Sequence, residues 1–460
     1  VTGFPIHALH RISAHSSAPP VTRSVESVFF LENLHLKIKV SEVVFRKDLY
    51  PRLEHSQAKA QEYSENIEHL PAIQVNQHNE LIDGFHRLTA HKLANVAEIE
   101  VEVIETTSDM HLLELAIKTN ASHGLQLSQS DKKDMAIKLY SIGERSADRK
   151  KELSKILSVS IDSIQGWVAD LDQAEREKRR KLILDLYLKC YTAEEIGEVV
   201  GLTTRTAEEE IKLLCSENGS FGKLSKVTFS EPDYAPPIYN VWAFGKKTNE
   251  TSHFGNTEQR IVDNLLWLFT EPSDIVIDPF GGGGSTLDVC KARGRRCWIS
   301  DRKPKPGLED KLRAMDVCTD LPALNKRWSD VSLTYLDPPY WRQAQNEYSD
   351  DPEDLANMSL EDFTKSMIDV VKRFADKQSK GAIALIIQPT QWRAEPKGSF
   401  ADHVFEIIKG VSKVKNITLE NRVSCPYSSE QCTPQMVIWA KENKKLLVLS
   451  RELIVWSVAK

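Results

Sequence analysis

Asp278-Pro279-Phe280-Gly281-Gly282-Gly283-Gly284-Ser285-Thr286 and, further along, Asp337-Pro338-Pro339-Tyr340 decide how this chain folds. Each directly follows an apolar, strand-like run, 275–277 before the first and 333–336 before the second. Alone, a Gly-rich loop after a strand serves many nucleotides, and an Asp-Pro-Pro sequence is only a turn. Together, in this order and at this spacing, they define one site. Two more runs end in the same manner, 297–299 at Asp301 and 382–387 at Gln388, and 435–439 reads as a late strand. With helical segments between them, these runs predict one α/β domain over 238–460. Ligands of a doubly wound parallel sheet sit outside the carboxyl ends of its strands, where three runs deliver an Asp.

Composition sets the outer bounds. At 460 residues the chain has room for several domains, and 27% charged with 41% hydrophobic residues is a globular mixture. No run reaches the length of a membrane-spanning helix, and 1–20 lacks the continuous apolar stretch of a secretory signal. The expectation is a cytoplasmic protein without a membrane partner. Seven scattered cysteines with no Cys-x-x-Cys pair indicate reduced thiols, with neither a disulfide framework nor a metal site. A net charge of −6 means that any nucleic-acid contact comes from local patches.

Upstream of the α/β domain the patterns change twice. Residues 1–34 read as a flexible lead-in, and 35–109 alternate strand and helix as a small α+β module. Residues 110–215 are helical and hold two helix-turn-helix candidates, each of which also fits an ordinary helical hairpin. In the first, Ser160 serves as N-cap of a second helix, which carries Ser163, Gln165 and Trp167 near Lys150, Lys151 and Lys155. These six are the expected DNA contacts. The second candidate places Glu208, Glu209 and Glu210 on its reading helix, which would repel phosphates. Residues 216–237, rich in Ser, Gly, Asn and Pro, read as a linker.

Glycines at 281–284 let backbone approach a bulky ligand, and Ser285 and Thr286 start the following helix. No Lys follows them to meet a triphosphate. On these residues the stretch resembles the donor-binding loop of S-adenosylmethionine-dependent amino-methyltransferases of the β-like group. The resemblance implies S-adenosylmethionine held by Asp278, Pro279, Phe280, Gly281, Gly283, Ser285 and Thr286, its ribose by Asp301 and its adenine by Asp316. His253 and Thr257, in His253-Phe254-Gly255-Asn256-Thr257, are similar to the segment beside the donor's methionine portion.

An amino nitrogen on a nucleobase is a poor nucleophile, because its lone pair is delocalised into the ring. Asp337 can accept one N–H, the Pro338 carbonyl the second, and Tyr340 offers a face for an extruded base, with Pro339 fixing the turn. The resemblance implies adenine N6 as target, since Asp at the first position is more usual of adenine enzymes and Ser of cytosine-N4 enzymes. The polar stretch 341–358 reads either as a loop closing over the flipped nucleotide or as a plain surface loop.

The module over 35–109 resembles the ParB/sulfiredoxin-like fold, chiefly through Ile82-Asp83-Gly84-Phe85-His86-Arg87-Leu88-Thr89-Ala90. Nucleotide-binding ParB proteins carry two adjacent arginines after Gly-Glu, whereas Phe85, His86 and Arg87 stand here. His86 and Arg87, at the start of a helix, are the groups that would meet phosphate, and an architectural role for the module is the alternative. The fold class is therefore multidomain: a small α+β ParB-like module, a helical helix-turn-helix segment, and an α/β Rossmann-like methyltransferase domain. What these resemblances imply is methylation of double-stranded DNA in a bacterial or phage-infected cell, near the nucleoid, as in restriction-modification, with room for a nucleotide at the first module and for a homodimer. Three alternatives stay open: a ParB-like partition or regulatory protein with an inactive methylase domain, a cytosine-N4 enzyme, and an RNA substrate.

Overall fold

The structure, a computed structural model, describes residues 36–51, 56–122, 127–216, 218–225, 229, 234–244, 258–343, 350–391, 399–426 and 432–459. It divides into two compact units, Val1–Gln173 and Ala174–Lys460.

In the first unit β1 (Leu36–Lys39), α1 (Gln57–Ser64), β2 (Ile73–Val75), β3 (Leu81–Asp83), α2 (Phe85–Leu93) and β4 (Glu98–Val103) build the small α+β module. Its sheet has the order β1-β4-β2-β3, with β2 parallel to β4 and the other pairs antiparallel. Period-2 patterning sets the faces: Ile99 and Val101 join Ile73, Val75 and Leu88 in the core, while Glu98 and Glu102 face out. Gly84, between β3 and α2, has φ +106°, and a Cβ there would come within 2.5 Å of the Ile73 side chain, so no other residue fits. Arg87, expected near phosphate, is committed internally. Its guanidinium pairs with Asp83 at 2.6 Å and donates to the carbonyls of Pro71 and Ala72.

Next come α3 (Asp109–Ser122), α4 (Gln129–Ile142), α5 (Ala147–Ile156) and α6 (Ile161–Leu188), whose latter part belongs to the second unit. Leu113, Ile117, Leu139, Leu153, Ile164 and Val168 make one core from all four helices. As the sequence predicts, Ser160 caps the helix that follows it, its Oγ accepting from the Ser163 N–H at 3.1 Å.

The second unit adds α7 (Ala193–Val200), α8 (Thr204–Cys215), α9 (Ser220–Ser225), α10 (Gln259–Phe269), β5 (Ile275–Asp278), α11 (Ser285–Ala292), β6 (Arg296–Asp301), β7 (Arg313–Ala314), β8 (Val331–Leu336), α12 (Leu360–Lys377), β9 (Ala382–Ile387), α13 (His403–Val411), β10 (Ile417–Pro426), α14 (Pro434–Asn443) and β11 (Ser450–Val458). A seven-stranded sheet runs β10-β11-β9-β8-β5-β6-β7, parallel from β9 to β7 and antiparallel at β11 and β10. Both faces are covered. Ile383, Leu385 and Ile387 of β9 pack with Phe363, Met367 and Phe374 of α12, whereas Ala382, Ala384 and Ile386 pack on the side of Ile261 and Leu265 of α10. That is why these strands read as unbroken apolar runs.

One expectation is corrected. Residues 435–439 are helical, because Thr433 caps α14 through Met436 N–H and Pro434 occupies the first turn, where its missing N–H costs nothing. The late strand is β11, with β10 beside it. Of the described residues between 216 and 237, Phe221 is buried against Tyr187, and the Tyr234 hydroxyl donates to Asn264 at 2.8 Å. Aromatic burial holds these residues to the second unit. Among the described residues, no helix is long and apolar enough to cross a membrane.

One buried ion pair anchors the start of α10. Arg451, on β11 and only 1% exposed, pairs with Glu258 at 2.6 Å and donates to the Cys425 carbonyl. Removing one partner leaves the other charge buried and alone, which costs about 3–5 kcal/mol. Arg451→Met therefore lowers the unfolding free energy by that amount in denaturant titration, and Arg451→Met with Glu258→Gln recovers part of it. Equal loss in the single and double variants would place the cost elsewhere.

Candidate active site

The chain builds the sheet outward from β5 in two directions. It first runs to β6 and β7 on one side, then crosses to β8 and β9 on the other, so strand order reverses between β5 and β8. At such a switch point the loops leave in opposite directions and a crevice opens. Asp278 ends β5 and Asp337 follows β8, so both quoted turns border that crevice. A cavity of about 220 Å³ lies there, walled by Asp278, Pro279, Phe280, Gly281, Gly282, Gly283, Ser285, Thr286, Asp301, Asp316, Asp337 and Pro339 among others. A larger recess of about 850 Å³ between α12 and α13 has His403 in its wall and none of these acids.

Backbone contacts hold the Gly-rich loop rigid. The Phe280 N–H donates to Asp278 Oδ1 at 3.0 Å, the Gly281 N–H to the Ser300 carbonyl at 2.8 Å, and the Gly282 N–H to Asp301 Oδ2 at 3.0 Å. A Cβ on Gly281 would lie 2.7 Å from Ile299 and 3.0 Å from the Ser300 carbonyl, so this close approach needs glycine. Asp301 also accepts from the Lys303 N–H through Oδ1, so both its oxygens are oriented. Asp316 accepts from the Cys318 N–H at 2.8 Å and pairs with Arg302 at 3.1 Å, and Arg302 reaches Asp351 at 2.7 Å. That guanidinium ties the loop at 350–358 to the rim of the cavity.

The carboxylates crowd one another. Asp278 is only 2% exposed, and burial pushes its carboxyl up to about 7, with Asp337 and Asp301 adding to the rise against the Thr286 hydroxyl and Phe280 N–H. Asp337 is half-buried. Tyr335 donates to its Oδ2 at 3.4 Å and Tyr340 to its Oδ1 at 3.3 Å. Trp341 is fixed beside them, its indole N–H donating to the Met358 carbonyl and its own carbonyl accepting from Thr390.

All expected donor-side residues from Asp278 to Asp316 line this cavity, while His253 and Thr257 lie outside the described residues. Of the acceptor tetrapeptide, Asp337 and Pro339 line it, Pro338 is buried, and Tyr340 is half-buried against Asp337. The six expected DNA contacts are spread differently. Lys155 and Gln165 are exposed, Lys151 pairs with Asp148, and Lys150 with Asp172; Ser163 bonds Ser160, and Trp167 packs on the helical core. Sequence reasoning missed Tyr335, Arg302, Glu353 and Asp354 in the cavity wall. Strand periodicity could have found Tyr335, two positions before Asp337. Glu353 and Asp354 arrive by tertiary folding alone.

Against known proteins, residues 145–305 match the family model described as DNA methylase, of the N6/N4 type. The matched segment ends before Asp337, so it holds the Gly-rich loop and Asp301 without the Asp-Pro-Pro-Tyr turn. A Streptomyces griseus protein named "Streptomycin biosynthesis operon possible regulatory protein" is 31% identical over 161 residues, which are 33% of this chain and 44% of that protein. The chain thus spans less than half of that curated relative. Among solved structures, the C-terminally truncated ParB of Caulobacter crescentus bound to its parS site is similar at 15% identity and a TM-score of 0.23, over 38% of this chain and 97% of that one. LepI in complex with S-adenosylmethionine is similar at 11% identity and a TM-score of 0.23, over 72% and 98%.

Asp278 gives the second unit a pH signature. Its carboxyl binds a proton up to about 7 when folded but only to about 4 when unfolded. The folded state holds more protons over that window, so this group's contribution falls as pH rises through it and levels off above. Asp278→Asn removes that slope. Relative to the parent it gains roughly 2–4 kcal/mol between pH 4 and pH 8 in denaturant titrations, and parallel curves would refute a buried neutral carboxyl.

Proposed function

We propose that the protein transfers a methyl group from S-adenosylmethionine to the exocyclic amino group of a base in DNA, with adenine N6 as the target. The observation that carries this reading is that Asp278, Asp301, Asp316 and Asp337, from four separate strand ends, wall one cavity. The donor supplies an electrophilic methyl group on a sulfonium when bound. The residues present suit it. Asp301, with both oxygens oriented by backbone N–H groups, still has lone pairs for vicinal hydroxyls, and buried Asp278 offers a carboxylate to a cationic ligand. Asp316 keeps acceptor capacity for an amino group beside its bonds to Cys318 and Arg302.

On the acceptor side Asp337 accepts one N–H of the base and the Pro338 carbonyl the other; among the described residues nothing donates to that carbonyl. Both contacts pull the nitrogen lone pair out of conjugation and aim it at the cavity. Tyr340 supplies the ring on which an extruded base stacks. DNA is engaged by α5 and α6 through Lys155 and Gln165, whose exposure supports this role. Arg87, spent on Asp83 and two carbonyls, favours an architectural role for the first module. The name of the Streptomyces griseus relative supports a second reading, DNA-binding regulation without turnover, against which the complete acid set counts.

The deciding experiment sequences DNA from cells expressing the parent or Asp337→Ala, with modified bases identified. N6-methyladenine in the first and none in the second is expected, N4-methylcytosine would move the target to cytosine, and no modified base from the parent would favour the regulatory reading. In vitro, Asp337→Ala abolishes turnover and keeps donor binding. Asp301→Ala weakens the donor, because each charge-assisted hydrogen bond contributes roughly 1.5–3 kcal/mol, and leaves DNA affinity unchanged. Calorimetric titration with donor and with DNA separates the two.

For DNA, Gln165→Ala with Lys155→Ala loses more affinity than Arg205→Ala, whose side chain is tied to Glu209 on a helix that also carries Glu208 and Glu210. Titrations at two salt concentrations test this order, and a larger loss from Arg205→Ala reverses it.

A further inference from the structure

We propose that Tyr335 is a positioning residue which holds Oδ2 of Asp337 from inside the sheet, leaving Oδ1 to be delivered to the amino group of the entering base. This rests on the functional reading above and divides the two oxygens of its central carboxylate between two tasks.

Tyr335 and Asp337 are two positions apart, so their side chains leave on the same side of the sheet. The Tyr335 ring is 2% exposed and packs with Leu333, Val276 and Ile299. Its hydroxyl reaches Asp337 Oδ2, its hydrogen-bond partner among the described residues. Burial, then the charges of Asp337 and Asp278, push the phenol well above its ordinary range despite the Arg451 guanidinium, so it stays a donor. Being walled in, it has no second place to go.

Tyr340 stands differently. It is half-buried at the turn and its hydroxyl reaches the other oxygen, Oδ1, at 3.3 Å. Both bonds exceed the roughly 2.5–2.7 Å of a tight O–H···O⁻ contact, the slack usual before substrate arrives. When Tyr340 turns its ring to the base, it gives up Oδ1 to the incoming N–H. Tyr335 keeps Oδ2, so the carboxylate does not swing after the departing hydroxyl. The carboxylate plane, and with it the direction of the N–H, is set by the buried tyrosine rather than the half-buried one.

The test uses the full chain, single-turnover methyl transfer to DNA and donor titration. Tyr335→Phe lowers the single-turnover rate roughly 10- to 100-fold, the effect of one charged hydrogen bond, with donor Kd and half-saturating DNA within about twofold of the parent. Thermal melting confirms that the variant is folded. A Tyr335→Phe rate within about twofold of the parent, or a matching loss of donor affinity, would overturn the positioning role. A parent that binds the donor and modifies no DNA overturns the functional reading itself, a distinct result that takes this role with it.

Discussion

The parallel pairing of β5 with β8 is the constraint on which the rest depends. Its register runs Ile275 with Val331, Val276 with Leu333 and Ile277 with Thr334, so the two strands finish side by side. Because they point the same way, the turns that follow must share one edge, whatever the distance between them in the chain. Two acidic turns then face one cavity. Burial first, and then the charges of Asp337 and Asp301, raise Asp278, and the cost of holding it there falls on the apolar strands beneath, which are buried on both faces. A core this dry beneath an edge this acidic is poised for a cationic ligand, whose charge relieves the repulsion on binding.

Much of this was legible in the sequence, for a simple reason. Strands buried on both faces read as unbroken apolar runs, and each such run here ends in a polar residue at the functional edge: Asp278, Asp301, Asp337 and Gln388. The antiparallel margin was less legible. In β10 the alternation is blurred by Glu420, Asn421 and Arg422 at a register shift, and apolar 435–439 is a helix whose Thr433-Pro434 start outweighs its composition. Cavity walls formed by long-range contact were not legible at all. Nothing local marks Glu353 or Asp354, and Arg302 reveals its partners Asp316 and Asp351 only in three dimensions.

Several polar groups of the second unit sit where two elements must keep register. Arg451 joins β11 to the start of α10 through Glu258, and Thr334 of β8 donates to Gln378 at the end of α12. Arg313 donates to the Lys189 carbonyl and Arg327 to the Cys190 carbonyl, fixing the turn after α6 beside the sheet. Such contacts stabilise little in net terms, because desolvation offsets most of the gain. They specify geometry, since any shift leaves a donor unmet in a dry interior.

The sheet also separates the two halves of the candidate site in chain order. Chain order and spatial order are separate variables in a doubly wound sheet. A turn contributed before or after the Gly-rich loop in sequence reaches the same crevice, provided that its strand is the neighbour of β5 across the switch point. What must be kept is adjacency, and adjacency is enforced by the register of β5 on β8, by Gly281 packed against Ile299 and by the backbone N–H groups that clamp Asp301. The acceptor turn therefore inherits its position from the donor half through the sheet, with no contact between the two turns required.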